Sequence, residues 1–262
     1  DSIERYRKLG VDCINSHGKI TSPWTIEVEG KTLTTRNITI ACGSSPFIPP
    51  LPGLSEVPHS TSDTIWNLRK LPKNMVVLGG GAVGCELAQC FSRFGSNVTL
   101  IQKVDRLIPY EDRDVSEFIR KRFETEGMQV LTGYKAFSVS KEGKSYQINC
   151  KTKEEEKKSI TFDHLFLAVG RKPQVKGYGV EKLGINLRPN KTIEVNEYLQ
   201  TNYPNIFACG DVTGPFQLTH MAAYQAWFFA VNGLLGQFKK FKIDYRVTPW
   251  CTYNDPEVAT VG

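Results

Sequence analysis

Three glycines, Gly79, Gly81 and Gly84, stand at G-x-G-x-x-G spacing directly after the apolar run Met75 to Leu78. That spacing suits the pyrophosphate of a dinucleotide. Gly79 permits a tight turn out of a strand, Gly81 lets the backbone approach the phosphates, and Gly84 lets the next helix sit close to the sheet. The N–H groups at the start of that helix, around Ala82 and Val83, then face an anion with the favourable end of the helix dipole. A glycine-rich turn that binds nothing has the same letters, so the surroundings decide. Val83, Leu87, Phe91 and Phe94 recur at helical spacing, Gly95 is placed to end the helix, and Asn97 to Gln102 reads as a second strand. Strand, turn, helix and strand fit within about 30 residues, as a βαβ unit requires. The dinucleotide reading is preferred.

Three other groups of residues invite chemistry. Cys85 and Cys90 form C-x-x-x-x-C, a spacing used by redox-active disulfides. Both fall on the helix after the glycines, where residues five apart diverge by about 140° around the axis, too far for disulfide geometry. They read as packing cysteines. The charged run Lys151 to Lys158 reads as a solvated hairpin tip rather than a binding surface. Asp211 closes the strand pattern Ile206-Phe207-Ala208-Cys209-Gly210-Asp211 and is either a site carboxylate or an ordinary helix cap.

The elements that position these residues follow from the pattern. Residues 1–10 read as the end of a helix closing at Gly10, and Val11 to Asn15 as a short strand. Trp24 to Val28 and Leu33 to Thr35 form a hairpin around Glu29-Gly30, and Asn37 to Ala41 is a buried strand ending at Cys42-Gly43. Pro46 to Gly53 is an extended connector, and Thr61 to Leu68 a short helix. A second helix carries the apolar face Val115, Phe118, Ile119 and Phe123 and ends at Gly127, before a third strand, Met128 to Leu131. Three antiparallel strands fall near 136–139, 146–150 and 159–161. His164 to Val169 returns as a buried parallel strand before Gly170-Arg171. Ile185 to Val195 turns at Asn190-Lys191, a helix starts near Leu218, and a further sheet opens from Tyr245. The expected fold class is α/β: a Rossmann-like domain of parallel sheet plus three-stranded meander, inserted in a partial domain of the same type.

Composition narrows the function classes. The 262 residues are 40% hydrophobic and 23% charged, long enough for two domains. The charge of +6 has no stretch of clustered Lys/Arg with interleaved aromatics, which disfavours nucleic acid. The longest apolar stretch, Met221 to Leu235, contains Gln225 and Asn232 and is too short to span a bilayer. Seven cysteines in no regular framework suit a reducing cytoplasm, and no metal site is expected. The chain opens at Asp1 and stops at Val261-Gly262 within a strand pattern, so both ends read as cuts in a longer protein.

Leu78 to Glu86, Ala168-Val169-Gly170-Arg171-Lys172-Pro173 and Ala208-Cys209-Gly210-Asp211-Val212 resemble, in this order, the FAD-dependent pyridine nucleotide–disulfide oxidoreductases, the family of lipoamide dehydrogenase, glutathione reductase and mercuric reductase. The closing stretch, Asp244 to Ala259, is most similar to the mercuric-reductase-like branch. The resemblance implies an NAD(P)H domain over 72–171, FAD-domain segments over 1–71 and 172–244, and the start of a dimer-interface domain over 245–262. It implies hydride transfer from NAD(P)H to flavin, with electrons passing to a disulfide or other small-molecule acceptor, in a homodimer when full length. Glu86 matches a glutamate near nicotinamide and flavin. Asp211, with Gly210, matches the carboxylate that hydrogen-bonds the flavin ribityl chain. Leu218, Thr219 and Ala222 match the helix start beside the flavin pyrimidine, where a helix N-terminus suits the charge of reduced flavin. Cys42, Gly43, Gly170 and Arg171 complete the cofactor-binding set.

Departures from the family pattern set further expectations. Neither the FAD glycine motif nor the redox C-x-x-x-x-C precedes Asp1, so this stretch alone is not expected to retain FAD or complete the reaction. Ala82 stands where some relatives place a tyrosine over the nicotinamide pocket. Gln102 replaces the acidic residue that would grip a ribose 2′-hydroxyl, and Lys103 follows it, which favours NADPH over NADH. A stand-alone NAD(P)-binding module without chemistry, and an NAD(P)H oxidase or quinone reductase of the same fold, are the alternatives.

Overall fold

The computed structural model describes residues 3–143 and 145–261. The described chain divides into two compact units, residues 45–172 with 246–262, and residues up to 44 with 173–245.

The first unit is built on five parallel strands: β1 (His59–Thr61), β2 (Asn74–Leu78), β3 (Asn97–Gln102), β4 (Gln129–Thr132) and β5 (His164–Leu167), in the order β1-β5-β2-β3-β4. Side chains alternate across a strand, and β2 shows the consequence. Met75 and Val77 join Val98, Leu100 and Phe166 in one core, together with residues of helices α1 (Ala82–Arg93) and α2 (Arg113–Thr125). Val76 and Leu78 join Ile101, Leu165 and Leu167 in another, against an antiparallel meander of Lys135–Glu142, Ser145–Lys151 and Lys157–Phe162. A strand covered on both faces needs a continuous apolar run, which is what Met75 to Leu78 supplies.

Several sequence expectations need correction. Val83 in α1 and Phe94 at its C-cap are exposed, and the buried positions of the helix are Gly84, Cys85, Ala88 and Gln89. Small Gly84, Cys85 and Ala88 let the helix lie close on the sheet, so apolar bulk is displaced to its flanks, while Gln89 is buried by its bonds to Glu126 and the Asp255 carbonyl. In α2, Phe118 is also exposed, while Ile119 and Phe123 are fully buried. Thr61 to Leu68 is not a helix: Thr61 ends β1, and a single 3-10 turn covers Ile65–Asn67. The local hydroxyls compete with helix formation; Thr61 N donates to Thr64 Oγ1 at 3.0 Å and Asp63 N to Thr61 Oγ1 at 3.3 Å. The proline-rich connector is pinned by Val139 N donating to the Pro52 carbonyl at 2.9 Å.

Residues 246–262 contribute a hairpin of Pro249–Thr252 and Val258–Val261; the expected sheet reached to Gly262, which lies outside the described residues. Glu111 is buried and clamps this hairpin, accepting from Trp250 Nε1 and Thr260 Oγ1, both at 2.6 Å. A second clamp centres on Glu126. Arg93 Nη2 lies 2.7 Å from Glu126 and 2.7 Å from Asp255, Arg122 Nε lies 2.8 Å from Glu126, and Gln89 Nε2 donates to the Asp255 carbonyl at 2.9 Å. Hydrogen bonds and charge from Arg93 hold the Glu126 carboxyl below the usual carboxylate range. A lowered folded pKa stabilises above the unfolded pKa and ceases to do so as pH falls through the folded one. Glu126→Gln is therefore expected to lower stability by about 1 kcal/mol at neutral pH. Urea denaturation should show the gap closing below about pH 4; a gap independent of pH contradicts this role.

In the second unit, Ile206–Ala208 pairs in parallel with Ile38–Ile40, and Lys19–Ser22, Thr25–Val28 and Lys31–Thr34 form an antiparallel sheet. Ile38, Ile40, Val180, Ile193, Ile206 and Val212 make its core. Helix α3 (Thr219–Leu235) follows. The expected N-terminal helix is Ile3–Lys8, with Asp1 and Ser2 outside the described residues. Val11 to Asn15 forms no strand; most of its side chains are exposed, so burial does not support pairing. Ile185 to Val195 is reduced to one bridge, Leu187 with Ile193, across the Asn190-Lys191 turn.

Candidate functional site

The glycine turn joins β2 to α1, and each glycine has a different physical reason to be there. Gly79 has φ +110°, and a Cβ on it would overlap the Ala168 carbonyl oxygen at the exit of β5. Gly84 lies so close to the turn that a Cβ would overlap the Gly79 carbonyl oxygen. Gly81 is different. Its φ of −80° suits any residue, and a Cβ there would meet nothing within 4 Å. Gly81 is also the N-cap of α1 and offers no side-chain oxygen to the first turn. Helix starts leave N–H groups without intrahelical acceptors, and the space beside Gly81 at this helix start is open.

Gly80, between the key glycines, is locked in place. Its N–H donates to Gln102 Oε1 at 3.1 Å, and its carbonyl accepts from Ile108 N at 2.7 Å. Gln102, at the end of β3, is buried. Its Oε1 also accepts from Lys103 N at 3.2 Å, and its Nε2 reaches the Arg106 carbonyl at 3.4 Å. The Gln102 amide therefore supports the turn, and the exposed Lys103 is the cationic side chain next to it. Cys85 packs beneath: fully buried, its thiol is pushed up to about 12 by burial and donates to the Gly80 carbonyl at 3.5 Å. Cys90 is exposed and unbonded to it.

Glu86 stands further along α1, half-buried. Its Oε1 accepts from Tyr253 N at 2.9 Å, so residues 246–262 fix this carboxylate. At the exit of β5, Gly170 has φ +114° and open space at its α-carbon, and Arg171 Nη1 donates to Ser62 Oγ at 3.0 Å. Gly79, Gly81, Gly84, Gln102, Lys103 and Gly170 thus border one end of the parallel sheet, the carboxyl end, where ligands of open α/β sheets sit.

A second set lies in the other unit. Asp211 Oδ2 accepts from Ser44 Oγ at 2.5 Å, beside Cys42 and Gly43. Gly210 has φ +76°, and its N–H donates to Gln225 Oε1 at 2.6 Å. Gln225 is fully buried and its Nε2 donates to the Gly214 carbonyl at 3.0 Å and to Tyr245 Oη at 2.9 Å. The next helix, α3, starts at Thr219 after the N-cap Leu218, again without a side-chain cap, and Ala222 N donates to the Leu218 carbonyl at 3.0 Å. A Cβ on Gly210 would come 3.4 Å from that of Ala222. Gln225 and Glu111 are the supporting residues that sequence reasoning passed over. The signal for Gln225 was its position as a polar break in an apolar helix.

Comparison with known proteins shows the family of the chain. Residues 2–226 match the family model described as pyridine nucleotide-disulphide oxidoreductase. The chain is 36% identical over 262 residues to a mercuric reductase of Staphylococcus aureus, covering all of this chain and 47% of that protein. It is 36% identical over 223 residues to a dihydrolipoyl dehydrogenase of Acholeplasma laidlawii, covering 84% of this chain and 64% of that one. Among solved structures, the HOCl-induced flavoprotein disulfide reductase RclA from Escherichia coli superposes with a TM-score of 0.88 at 27% identity, over 99% of this chain and 60% of RclA. The chain spans about half the length of the mercuric reductases it matches.

Proposed function

The chain belongs to the pyridine nucleotide–disulphide oxidoreductases, and from that premise we propose that it carries the NAD(P)H site and part of the FAD site of a flavin-dependent NAD(P)H oxidoreductase. The observation that carries the proposal is the Gly79–Gly84 turn. Gly81 is required neither by its backbone angles nor by crowding, yet it leaves an open, uncapped helix start. A pyrophosphate fits such a cradle. In this reading residues 72–171 hold the nucleotide, and the unit of residues up to 44 with 173–245 belongs to the flavin domain; the segment 45–71, expected with the flavin domain, packs with the nucleotide unit because His59–Thr61 joins its parallel sheet. The whole protein passes electrons to a disulfide or small-molecule acceptor as a homodimer.

When bound, NAD(P)H supplies a hydride and FAD accepts it. The residues of the chain have separate tasks. N–H groups of the first turn of α1 bind the pyrophosphate, and Gly170 leaves room beside it. Glu86, held by Tyr253 N, keeps a carboxylate at a fixed place on α1, where it would serve the nicotinamide. Asp211, oriented by Ser44, offers a carboxylate oxygen to the ribityl hydroxyls. The uncapped start of α3 at Leu218 and Thr219 favours negative charge on the pyrimidine edge. Lys103 attracts a ribose 2′-phosphate, and the neutral Gln102 does not repel it.

The test is a nucleotide preference. Glutamate at position 102 can still accept from Gly80 N, so the turn persists while a negative charge enters. Gln102→Glu is expected to shift the ratio of NADPH to NADH affinity towards NADH by about tenfold, one charge-assisted contact. Equal ratios in the two chains, measured by titration, would refute the assignment of Gln102.

A further inference from the structure

We propose that the far end of α3 is a peripheral membrane-binding surface, recognising a bilayer with anionic headgroups. Helix α3 is apolar on two faces, whereas a helix on a water-facing surface keeps one face polar. Met221, Gln225, Phe228 and Asn232 are buried in the unit, yet Tyr224, Trp227, Leu234 and Leu235 are not. With Phe238 beyond the helix, Tyr224, Trp227, Leu234 and Phe238 follow a spacing of three, seven and four residues, one continuous stripe. Trp227 is 53% exposed, Leu234 77% and Phe238 80%. Scattered exposed apolar residues need no explanation, but a contiguous stripe ending in bulky tips does.

The charge around these tips selects the occupant. From Leu234 to Ile243 the chain has three exposed lysines, Lys239, Lys240 and Lys242, and no acidic residue; exposed Asp244 follows, at the Tyr224 end of the stripe, where its carbonyl accepts from Tyr224 Oη at 3.3 Å. Glu197 pairs with Lys242 at 2.8 Å, and Lys239 lies 5.2 Å over the Phe241 ring. Asn37 Nδ2 donates to the Gly233 carbonyl at 2.7 Å, which brings the exposed Arg36 to the same end. Apolar tips ringed by cations suit an interface in which the tips enter the acyl boundary and the lysines meet anionic headgroups. The surface lies on the membrane rather than across it; no helix among the described residues is long and apolar enough to span one.

The test is co-sedimentation of the chain with phosphatidylcholine vesicles, with and without phosphatidylglycerol, alongside light scattering of the protein alone. The expected result is salt-sensitive binding to the anionic vesicles only. Lys239→Glu with Lys240→Glu should weaken that binding by at least about tenfold, given the contribution of each basic residue near an anionic surface. Phe238→Ser with Leu234→Ser should weaken it as well. All four positions are exposed, so the variants should keep the circular dichroism of the parent. Absence of binding to anionic vesicles, binding unchanged in the variants, or a dimer that Phe238→Ser dissociates would each overturn the proposal, the last assigning the stripe to a second copy of the chain.

Discussion

A Gly81→Val chain is expected to lose NADPH affinity by about a hundredfold while melting within about 4 °C of the parent. Glycines play two separate roles in this turn. Gly81 has extended backbone angles open to any residue, and a side chain there meets nothing of the protein. Replacing an N-cap glycine by valine, a poor cap, costs only about 1 kcal/mol when no clash is added. The space that a valine side chain fills is the approach to the first-turn N–H groups. Losing two charge-assisted hydrogen bonds to a pyrophosphate costs about 3 kcal/mol, which is the hundredfold. Titration calorimetry and thermal melting read the two effects separately. Retained affinity in a folded variant contradicts the assignment of the turn.

Gly84→Val should give the opposite pattern, a loss of fold. A Cβ at residue 84 overlaps the Gly79 carbonyl oxygen and comes 3.3 Å from the Ala168 Cβ. Neither neighbour is a flexible side-chain end. The helix must lift from the sheet, and Cys85 and Ala88, fully buried beneath it, lose their packing. Overpacking of this kind costs about 3 kcal/mol, a fall of about 10 °C for a unit of this size. A melting temperature within about 2 °C of the parent contradicts the close approach of α1 to the sheet. Together the two substitutions distinguish a turn that needs glycine for a ligand from one that needs it for packing.

Much of this was legible in the sequence because backbone chemistry is written in residue types. Asn97 to Gln102 is a strand with the expected bounds, and the antiparallel meander falls around its three expected segments. The α/β class follows from apolar runs alternating with helical spacing, and the family motifs lie in the expected order. What periodicity misjudged was which face of a helix is buried. Val83 and Phe94 look like core by spacing, but a helix drawn onto a sheet by glycine buries its small residues instead, and on α2 the stripe centred on Ile119 and Phe123 leaves Phe118 outside it. Val11 to Asn15 carries apolar side chains without a strand to pair with. The partners of Glu86, Glu111 and Gln225 were illegible for a different reason. Each is satisfied by a group distant in sequence, Tyr253, Trp250 and Tyr245 among them, and spacing carries no information about such contacts.

The central claim is that the turn at Gly79 to Gly84 is a nucleotide site, and the most direct measurement is titration of the purified chain with NADPH and NADH. The expected result is saturable binding of one nucleotide per chain, on the order of micromolar, with NADPH the tighter ligand. A chain with native circular dichroism that shows no saturable binding of either nucleotide would contradict it.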